Sequence, residues 1–309
     1  MIAKLSRRDL LQAGALTAGT LGLSAITDSI DAATESSRSE QTPRANALTP
    51  GKSADSPVEL YYREDWFGSP WETPETVLFI HGNDESGIIW YGWIPRMGKE
   101  FRLLRPDLPG LGRSPIPPAF QWSIPSIAAM LAQFLDSVGV ESAHVIAAKS
   151  GGSIAMQFAV DYPKRTRTLT LASAPVTPVS SRIAFSAPSS SSQQRRLGSA
   201  APKEQIEFFN QMMGSTSPEA KAGMAKVEEE VKMEAILPRI SAPTLVITAD
   251  RSALQSVETV MNYQKKIPNS RLLVLPADGY HVAVIRPEEC VTSVLSFIKE
   301  TRQSRQAIG

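Results

Sequence analysis

Short apolar runs alternate with helical patterns over most of this chain, and that alternation restricts the fold more than any other feature. Segments that lie between the runs carry apolar residues at helical spacing, for example residues 124–138 and 257–266. Strands that alternate with helices form a parallel sheet with helices packed on both faces. The sequence therefore predicts an α/β fold with a mostly parallel sheet. The runs typical of strands are residues 58–63, 76–80, 101–104, 145–148, 168–172, 244–248 and 271–275.

The alternation is interrupted once, between residues 176 and 241. This segment contains helical patterns at residues 203–213 and 218–237, and the alternation resumes after it. We therefore predict a core made of residues 57–175 and 242–309, with a mainly helical cap at residues 176–241 inserted after the sixth core strand. Parallel sheets bind ligands at the carboxyl ends of their strands, where such an insertion would lie.

The first 56 residues predict a leader rather than part of the fold. Arg7 and Arg8 precede a modestly apolar stretch, and together they resemble a twin-arginine export signal. We expect a signal peptide at residues 1–33 and a flexible linker, rich in Ser, Thr, Ala and Pro, at residues 34–56. The apolar stretch is too short and too weakly hydrophobic for a membrane span, so no stable membrane anchor is expected. The expected partner is the twin-arginine translocation machinery, and the expected location is the periplasm or the outside of the cell.

Composition excludes several classes of function. The 309 residues carry a formal net charge of +1, which argues against nucleic acid as the main partner. The single cysteine, Cys290, allows no intramolecular disulfide. The three histidines and this cysteine lack the spacing of metal ligands, and no dinucleotide or phosphate loop is present. We therefore expect neither a metal nor a cofactor.

Residues 144–155 predict a strand, a tight turn and a helix, with Ser150 at the apex of the turn. A bend this sharp strains the backbone of its apex residue and requires small neighbours, which Ala148, Gly151 and Gly152 supply. The free N–H groups at the start of the helix would favour developing negative charge beside the serine. This pattern indicates a nucleophilic hydroxyl. The alternative is that Ser150 only caps the helix.

Three segments together resemble the α/β-hydrolase superfamily. Residues 148–152 resemble its G-x-S-x-G nucleophile elbow, with Ala148 in place of the first glycine. Residues 107–114 match its D-x-P-G-x-G-x-S loop, in which Asp107 would be structural. The resemblance covers about residues 58–298 and implies the α/β-hydrolase fold.

The third segment, His81-Gly82-Asn83, resembles the oxyanion-hole strand of the same superfamily. The resemblance implies that Ser150 is the nucleophile. It also implies that the backbone N–H groups of Asn83 and Gly151 bind the oxyanion.

The resemblance also implies that His281 is the catalytic base, because it follows the last strand and precedes the terminal helix. Elimination supports the same choice among the three histidines. His144 starts the elbow strand, roughly 20 Å from Ser150, and we expect it at the surface or at a strand edge. His81 belongs to the oxyanion segment. An imidazole at position 281 could accept the proton of Ser150 and return it to a leaving group.

The acid that would orient His281 is less well defined by the sequence. Relatives place it after the strand at residues 244–248, where Ser252 occupies the usual position. Asp250 lies two residues earlier and is the predicted catalytic acid, while Glu258 and Asp278 remain alternatives.

Lys149, Phe208 and Met212 are candidate substrate-binding residues. Lys149 could hold an acidic substrate or stabilise the oxyanion, although an orientation along the helix surface is favoured. Phe208 and Met212 could line an apolar pocket or simply pack the cap onto the core.

The sequence as a whole predicts an exported serine hydrolase that cleaves a small-molecule carboxylic ester or lactone through an acyl-enzyme. The alternatives are a carbon–carbon bond hydrolase or perhydrolase that uses the same site, and a scaffold that binds a ligand without catalysis. A peptidase would need acidic groups in the cap to bind a substrate amine. Glu228, Glu229 and Glu230 are available, but such a run is more typical of a solvated helix face.

Overall fold

The computed structural model describes residues 59–178 and 190–307. The predicted signal peptide and linker lie outside the described residues, as does part of the insertion at residues 179–189.

A seven-stranded sheet forms the centre of the described chain, and its strand order is β1-β3-β2-β4-β5-β6-β7. Only β1 runs antiparallel to its neighbour, and all the other pairs are parallel. The prediction of an α/β fold with a mostly parallel sheet is confirmed. The strands are β1 (Tyr62–Asp65), β2 (Thr76–Ile80), β3 (Arg102–Pro106), β4 (Ala143–Ala148), β5 (Thr166–Ala172), β6 (Thr244–Ala249) and β7 (Ser270–Leu275).

Helices cover both faces of this sheet. They are α1 (Ile94–Met97), α2 (Ile124–Ser137), α3 (Gly151–Asp161), α4 (Ser190–Leu197), α5 (Lys203–Gly214), α6 (Pro218–Glu229), α7 (Val257–Gln264), α8 (Val282–Ile285) and α9 (Pro287–Gln306). Among the residues that the structure describes, no helix combines the length and apolarity needed to cross a membrane.

Successive residues of the central strands point to opposite faces, so each strand contributes to two cores. In β2, Leu78 and Ile80 pack into the core formed with α2, α3 and α7. Val77 and Phe79 pack into the other core, which contains Trp90 and α9. Because both faces are covered, β2 is buried along its whole length, which agrees with its apolar run in the sequence.

The insertion at residues 176–241 lies between β5 and β6. The insertion was predicted to follow the sixth core strand. In the described residues it follows the fifth, β5, because only one strand, β1, precedes β2. The insertion includes α4, which was not predicted, together with α5 and α6. The predicted helix at residues 218–237 ends at Glu229, because Lys232 has a non-helical backbone.

His144 lies at the end of β4 that is remote from Ser150, as predicted. The prediction that it is a surface or strand-edge residue is wrong, because β4 is flanked by β2 and β5 and His144 is buried. Its Nδ1 lies 2.9 Å from the hydroxyl of Thr168, and its Nε2 lies 3.2 Å from a carboxylate oxygen of Glu75. His144 therefore contributes to the structure of the sheet.

The carboxyl group of Glu75 makes the stability of the fold depend on pH in the acid range. Its carboxylate contacts His144, Arg167 and Arg302. The hydrogen bond with His144 and these positive charges lower its pKa from 4.5 to about 2. Because the pKa of Glu75 is lower in the folded protein, its carboxylate stabilises the fold fully above about pH 4.5. This contribution is lost as the pH falls towards 2.

We expect Glu75→Gln to lower the free energy of unfolding near neutral pH. In acid, where the carboxyl group of the wild type is also neutral, the substitution should change this free energy little. Urea unfolding of both proteins at several pH values would measure the difference. A deficit in the variant that stays constant down to pH 2 would contradict this assignment.

Candidate active site

The turn between β4 and α3 consists of Lys149 and Ser150. Lys149 has a φ of 53°, in the left-handed region, whereas Ser150 has helical angles, with φ −60° and ψ −24°. The prediction that Ser150 is the strained apex is therefore wrong, and the apex is Lys149. The reason is that Gly152 donates a hydrogen bond to the carbonyl of Lys149 at 2.9 Å, so Ser150 already lies in the first helical turn.

Two glycines after the turn allow the chain to approach its neighbours closely. A Cβ on Gly151 would lie 2.3 Å from the carbonyl oxygen of His81, and one on Gly152 would lie 2.2 Å from the Cβ of Ala174. The requirement for small residues around the turn is confirmed. It places the start of α3 directly against the end of β2.

Lys149 points into the protein. Its Nζ donates to Glu85 Oε1 at 2.6 Å, and both side chains are almost fully buried. The favoured orientation along the helix surface is therefore wrong. Because Lys149 occupies the apex and not the outer face of the helix, its side chain enters the edge of the sheet where Glu85 lies. The other carboxylate oxygen of Glu85 accepts the N–H of Gly82 at 3.0 Å.

His281 contacts the same carboxylate group, that of Glu85. Its Nε2 lies 2.9 Å from Glu85 Oε1, at ion-pair distance. The contact lacks the direction of a hydrogen bond, and neither ring nitrogen has such a bond from the described residues. Burial lowers the pKa of His281 below 6.5, although Glu85 opposes this shift. Burial opposes ionisation of Glu85, but His281 and Lys149 hold its pKa well below 4.5. The cluster thus combines a charged Lys149–Glu85 pair with a neutral imidazole at pH 7.

The structure does not bring the predicted acid to His281. Asp250 Oδ1 accepts the N–H of Ala277 at 2.8 Å, and its side chain is 42% exposed. Asp278 accepts hydrogen bonds from Ser199, at 2.6 Å from the hydroxyl, and Glu258 is an exposed residue in the first turn of α7.

The carboxylate beside His281 is Glu85, which the sequence analysis missed. A signal was available, because Glu85 follows β2 by five residues and so lies at the carboxyl edge of the sheet with the other site residues.

Both predicted oxyanion donors lie beside Ser150. The N–H of Asn83 donates to Ser150 Oγ at 2.8 Å. Gly151 is the first residue of α3, so its N–H is one of those that have no acceptor within the helix. His81 shapes this loop: its Nε2 accepts the N–H of Leu108 at 2.9 Å, so its Nδ1 carries the proton that is donated to the adjacent carbonyl.

Asp107 holds the neighbouring loop together, as the resemblance implied. Its carboxylate is fully buried and accepts the N–H of Gly87 at 2.6 Å and that of Arg113 at 2.9 Å. The side chain of Arg63 completes its partners at 3.1 Å. These bonds connect β1, β3 and the segment after β2, so Asp107 is structural.

A pocket opens above Ser150 between the turn and the insertion. Its lining residues are Asn83, Asp84, Lys149, Ser150, Pro175, Glu228, Val231, Leu254 and Tyr280. Lys149 thus lies at the pocket. Phe208 instead packs on Tyr91, and the sulfur of Met212 lies 3.7 Å from the hydroxyl of Ser86.

Glu228, at the end of α6, is a second carboxylate at the site, after Glu85, that the sequence analysis did not assign to catalysis. Its side chain lines the pocket together with Asn83 and Ser150. Burial raises the pKa of Glu228 above 4.5, and the nearby charge of Lys149 opposes that shift. Among the described residues, no cluster of three or more His, Cys, Asp or Glu side chains could hold a metal ion.

Comparisons with known proteins agree with this architecture. Residues 75–221 match the family described as alpha/beta hydrolase fold. A pimeloyl-[acyl-carrier protein] methyl ester esterase from Aeromonas hydrophila subsp. hydrophila is 24% identical over 247 residues, which are 73% of this chain and 95% of that protein.

Two solved structures share the fold. A thermophilic esterase from Thermogutta terrifontis has a TM-score of 0.67 and 24% identity, and the match covers 79% of this chain and 94% of the esterase. An enol-lactonase from Burkholderia xenovorans has a TM-score of 0.70 and 17% identity, with 78% and 96% covered. The sheet order, the turn after β4 and these matches lead to one conclusion: the chain has the α/β-hydrolase fold and is a hydrolase of that fold.

Proposed function

We propose that this hydrolase cleaves a small carboxylic ester or lactone, with the hydroxyl of Ser150 as its nucleophile. The observation that carries the proposal is the position of that hydroxyl. It lies in the pocket, which Glu228 also lines, and it accepts the N–H of Asn83 at 2.8 Å. A hydroxyl that faces a pocket beside an N–H donor for the oxyanion can attack the carbonyl carbon of an ester bound there.

The reaction would proceed in two halves. Ser150 Oγ forms a bond to the acyl carbon and loses its proton to a base, and the carbonyl oxygen becomes an oxyanion. The N–H groups of Asn83 and Gly151 bind that oxyanion, for which Asn83 must exchange its present bond with Ser150. The carbon–oxygen bond then breaks, and the leaving oxygen receives the proton. Water releases the acyl group by the same steps in reverse.

The lining of the pocket favours an uncharged acyl group. Pro175, Val231 and Leu254 supply apolar walls, while Asp84 and Glu228 are acidic. Lys149 is already neutralised by Glu85, so it leaves no free positive charge to bind an acidic substrate. We therefore expect neutral esters and lactones to be better substrates than those that carry a carboxylate.

Labelling with a fluorophosphonate tests the nucleophile. We expect one adduct on wild-type protein, located on Ser150 by peptide mass spectrometry, and no adduct on Ser150→Ala. An ester and lactone panel of varied acyl length would then identify the substrate. If well-folded wild-type protein is neither labelled nor active, the pocket binds a ligand without covalent catalysis and the proposal is wrong.

The assignment of the acid can be tested on the same panel. We expect Asp250→Ala, Glu258→Ala and Asp278→Ala to retain nearly full activity, because the structure shows none of these carboxylates at His281. Glu85→Gln should lose much of it, since Glu85 contacts both His281 and Lys149. Loss of activity in Asp250→Ala alone would restore Asp250 as the catalytic acid.

We also propose that the protein is exported through the twin-arginine pathway to the periplasm or beyond. The support is the pair Arg7 and Arg8 ahead of an apolar stretch. Residues 1–56 fused to a reporter that folds before export should carry it out of the cytoplasm, and replacement of both arginines with lysine should prevent this. Export that survives the replacement would contradict the proposal.

A further inference from the structure

We propose that the pocket accepts esters of short acyl groups, about the size of acetyl, and that Val231 sets this limit. The inference rests on the proposed function, in which Ser150 attacks the ester, and it narrows the substrate class of that same site. Three features of the pocket support it: its size, its closed end and the way in which Val231 is held.

The pocket above Ser150 is small. Its volume is about 20 Å³, whereas a cavity needs roughly 10–15 Å³ to hold one water molecule. The space beside the Ser150 hydroxyl therefore holds one or two groups the size of water. The methyl group of an acetyl ester is of similar size and fits there. Each further methylene group has to displace protein atoms, which is unfavourable in a close-packed interior.

The pocket has a closed end and an exposed end. Among its lining residues, Pro175 and Val231 are buried, whereas Glu228 and Leu254 are partly exposed and lie where the pocket reaches the surface. The alcohol leaves before the acyl group does, and water must then reach the acyl carbon. The alcohol therefore belongs at the exposed end. This places the acyl group at the closed end, against Pro175 and Val231.

Val231 is held in place by the packing around it. It is 2% exposed and belongs to a core cluster with Val176, Val227 and Met233. The N–H of Met233 donates to the carbonyl of Val176 at 2.9 Å, which joins this segment to the one that follows β5. A longer acyl group would have to shift the whole packed segment, so Val231 restricts the substrate more than a flexible surface side chain would.

The same limit separates open-chain esters from lactones. In an open-chain ester, the acyl and alcohol parts can extend to opposite ends of the pocket. In a lactone the ring joins the two parts, so several ring carbons must lie beside Ser150 together. Because the pocket holds only one or two such groups, we expect acetyl esters to be better substrates than lactones.

The experiment uses the full chain and the p-nitrophenyl esters of acetic, propanoic, butanoic and hexanoic acid, which share one leaving group. Ser150→Ala comes first, because only activity that depends on Ser150 bears on the inference. For wild type we expect kcat/KM to fall about 10-fold or more from the acetyl to the butanoyl ester, and to fall again for hexanoyl. Val231→Ala enlarges the closed end, so the ratio of butanoyl to acetyl kcat/KM should rise about 10-fold.

Val227→Ala is the matched control. Val227 is as deeply buried as Val231 and loses the same side-chain atoms, but it does not line the pocket. This variant should keep the wild-type preference for acetyl. Leu254→Ala widens the exposed end, so it should speed the reaction of acetyl esters of longer alcohols and leave the acyl preference unchanged. Equal shifts of the acyl preference in Val231→Ala and Val227→Ala would show that Val231 has no specific role.

Failure of the inference and failure of the proposed function give different results. If activity depends on Ser150 but kcat/KM stays constant or rises from acetyl to hexanoyl, the inference is overturned and the proposed function stands. Activity that survives Ser150→Ala, or no activity with any ester or lactone, overturns the proposed function instead. If Val231→Ala does not fold, Val231→Leu, which adds one methylene group, decides: a steeper decline from acetyl to butanoyl supports the role of Val231, and an unchanged decline overturns it.

Discussion

Replacing Ser150 with alanine is expected to lower kcat/KM for the best ester of the panel by a factor of about 10⁴ or more. Removal of the nucleophile leaves only substrate binding and the oxyanion donors, which account for a small part of catalysis in serine hydrolases. The fold should survive, since the change removes one hydroxyl that accepts a single backbone N–H, from Asn83. We expect a loss in unfolding free energy of about 1 kcal/mol.

Ser153 provides the matched control. It is a buried serine three residues further along α3 that does not line the pocket, and its hydroxyl donates to the carbonyl of Pro175 at 3.0 Å. Ser153→Ala should cost a similar amount of stability and leave kcat/KM nearly unchanged. If both alanine variants lose activity to the same extent, the effect belongs to the packing of α3 and Ser150 has no chemical role.

Replacing Lys149 with methionine is expected to reduce the free energy of unfolding by about 3–5 kcal/mol. The variant keeps the length and apolar stem of the side chain but leaves Glu85 as a buried carboxylate without its cation. The strain at the apex, where φ is 53°, is the same in both proteins, so it cancels in the comparison. Urea unfolding at constant m-value would measure the difference.

A double-mutant cycle separates the ion pair from packing. Glu85→Gln keeps an acceptor for the N–H of Gly82 and removes the charge. Lys149→Met combined with Glu85→Gln should therefore lose less stability than the sum of the two single variants. Lys221, which is exposed on α6, is the control, and Lys221→Met should change stability by less than about 0.5 kcal/mol. Additive losses in the cycle would show that the pair contributes no coupling energy.

The structure shows which features of the fold and of the site could be predicted from local sequence patterns. The strand at residues 76–80 and the helix start at Ile124 were predicted correctly, because apolar runs and helical periodicity are local signals. The apex of the turn was misplaced by one residue. Ala147, Ala148, Gly151 and Gly152 are all small, so the pattern allowed two registers, and only the helix hydrogen bonds distinguish them.

The partners of His281 illustrate a different limit. Glu85 lies 196 positions before His281 along the chain, and the two meet because β2 and β7 end at the same edge of one sheet. No local pattern favoured Glu85 over Asp250, which lies closer along the chain but turns its carboxylate to the N–H of Ala277. Likewise, the three consecutive glutamates that begin at Glu228 are alike in sequence, but only Glu228 lines the pocket.

The sequence by itself determined the α/β architecture and the residue types at the carboxyl edge of the sheet, because periodicity and turn chemistry are encoded in neighbouring residues. Only the tertiary structure decided that Lys149 is the apex, that Glu85 joins it to His281 and that Glu228 lines the pocket with Ser150. Those outcomes depend on side-chain direction and burial, which are set when segments far apart in the chain pack together and exclude water from their charges.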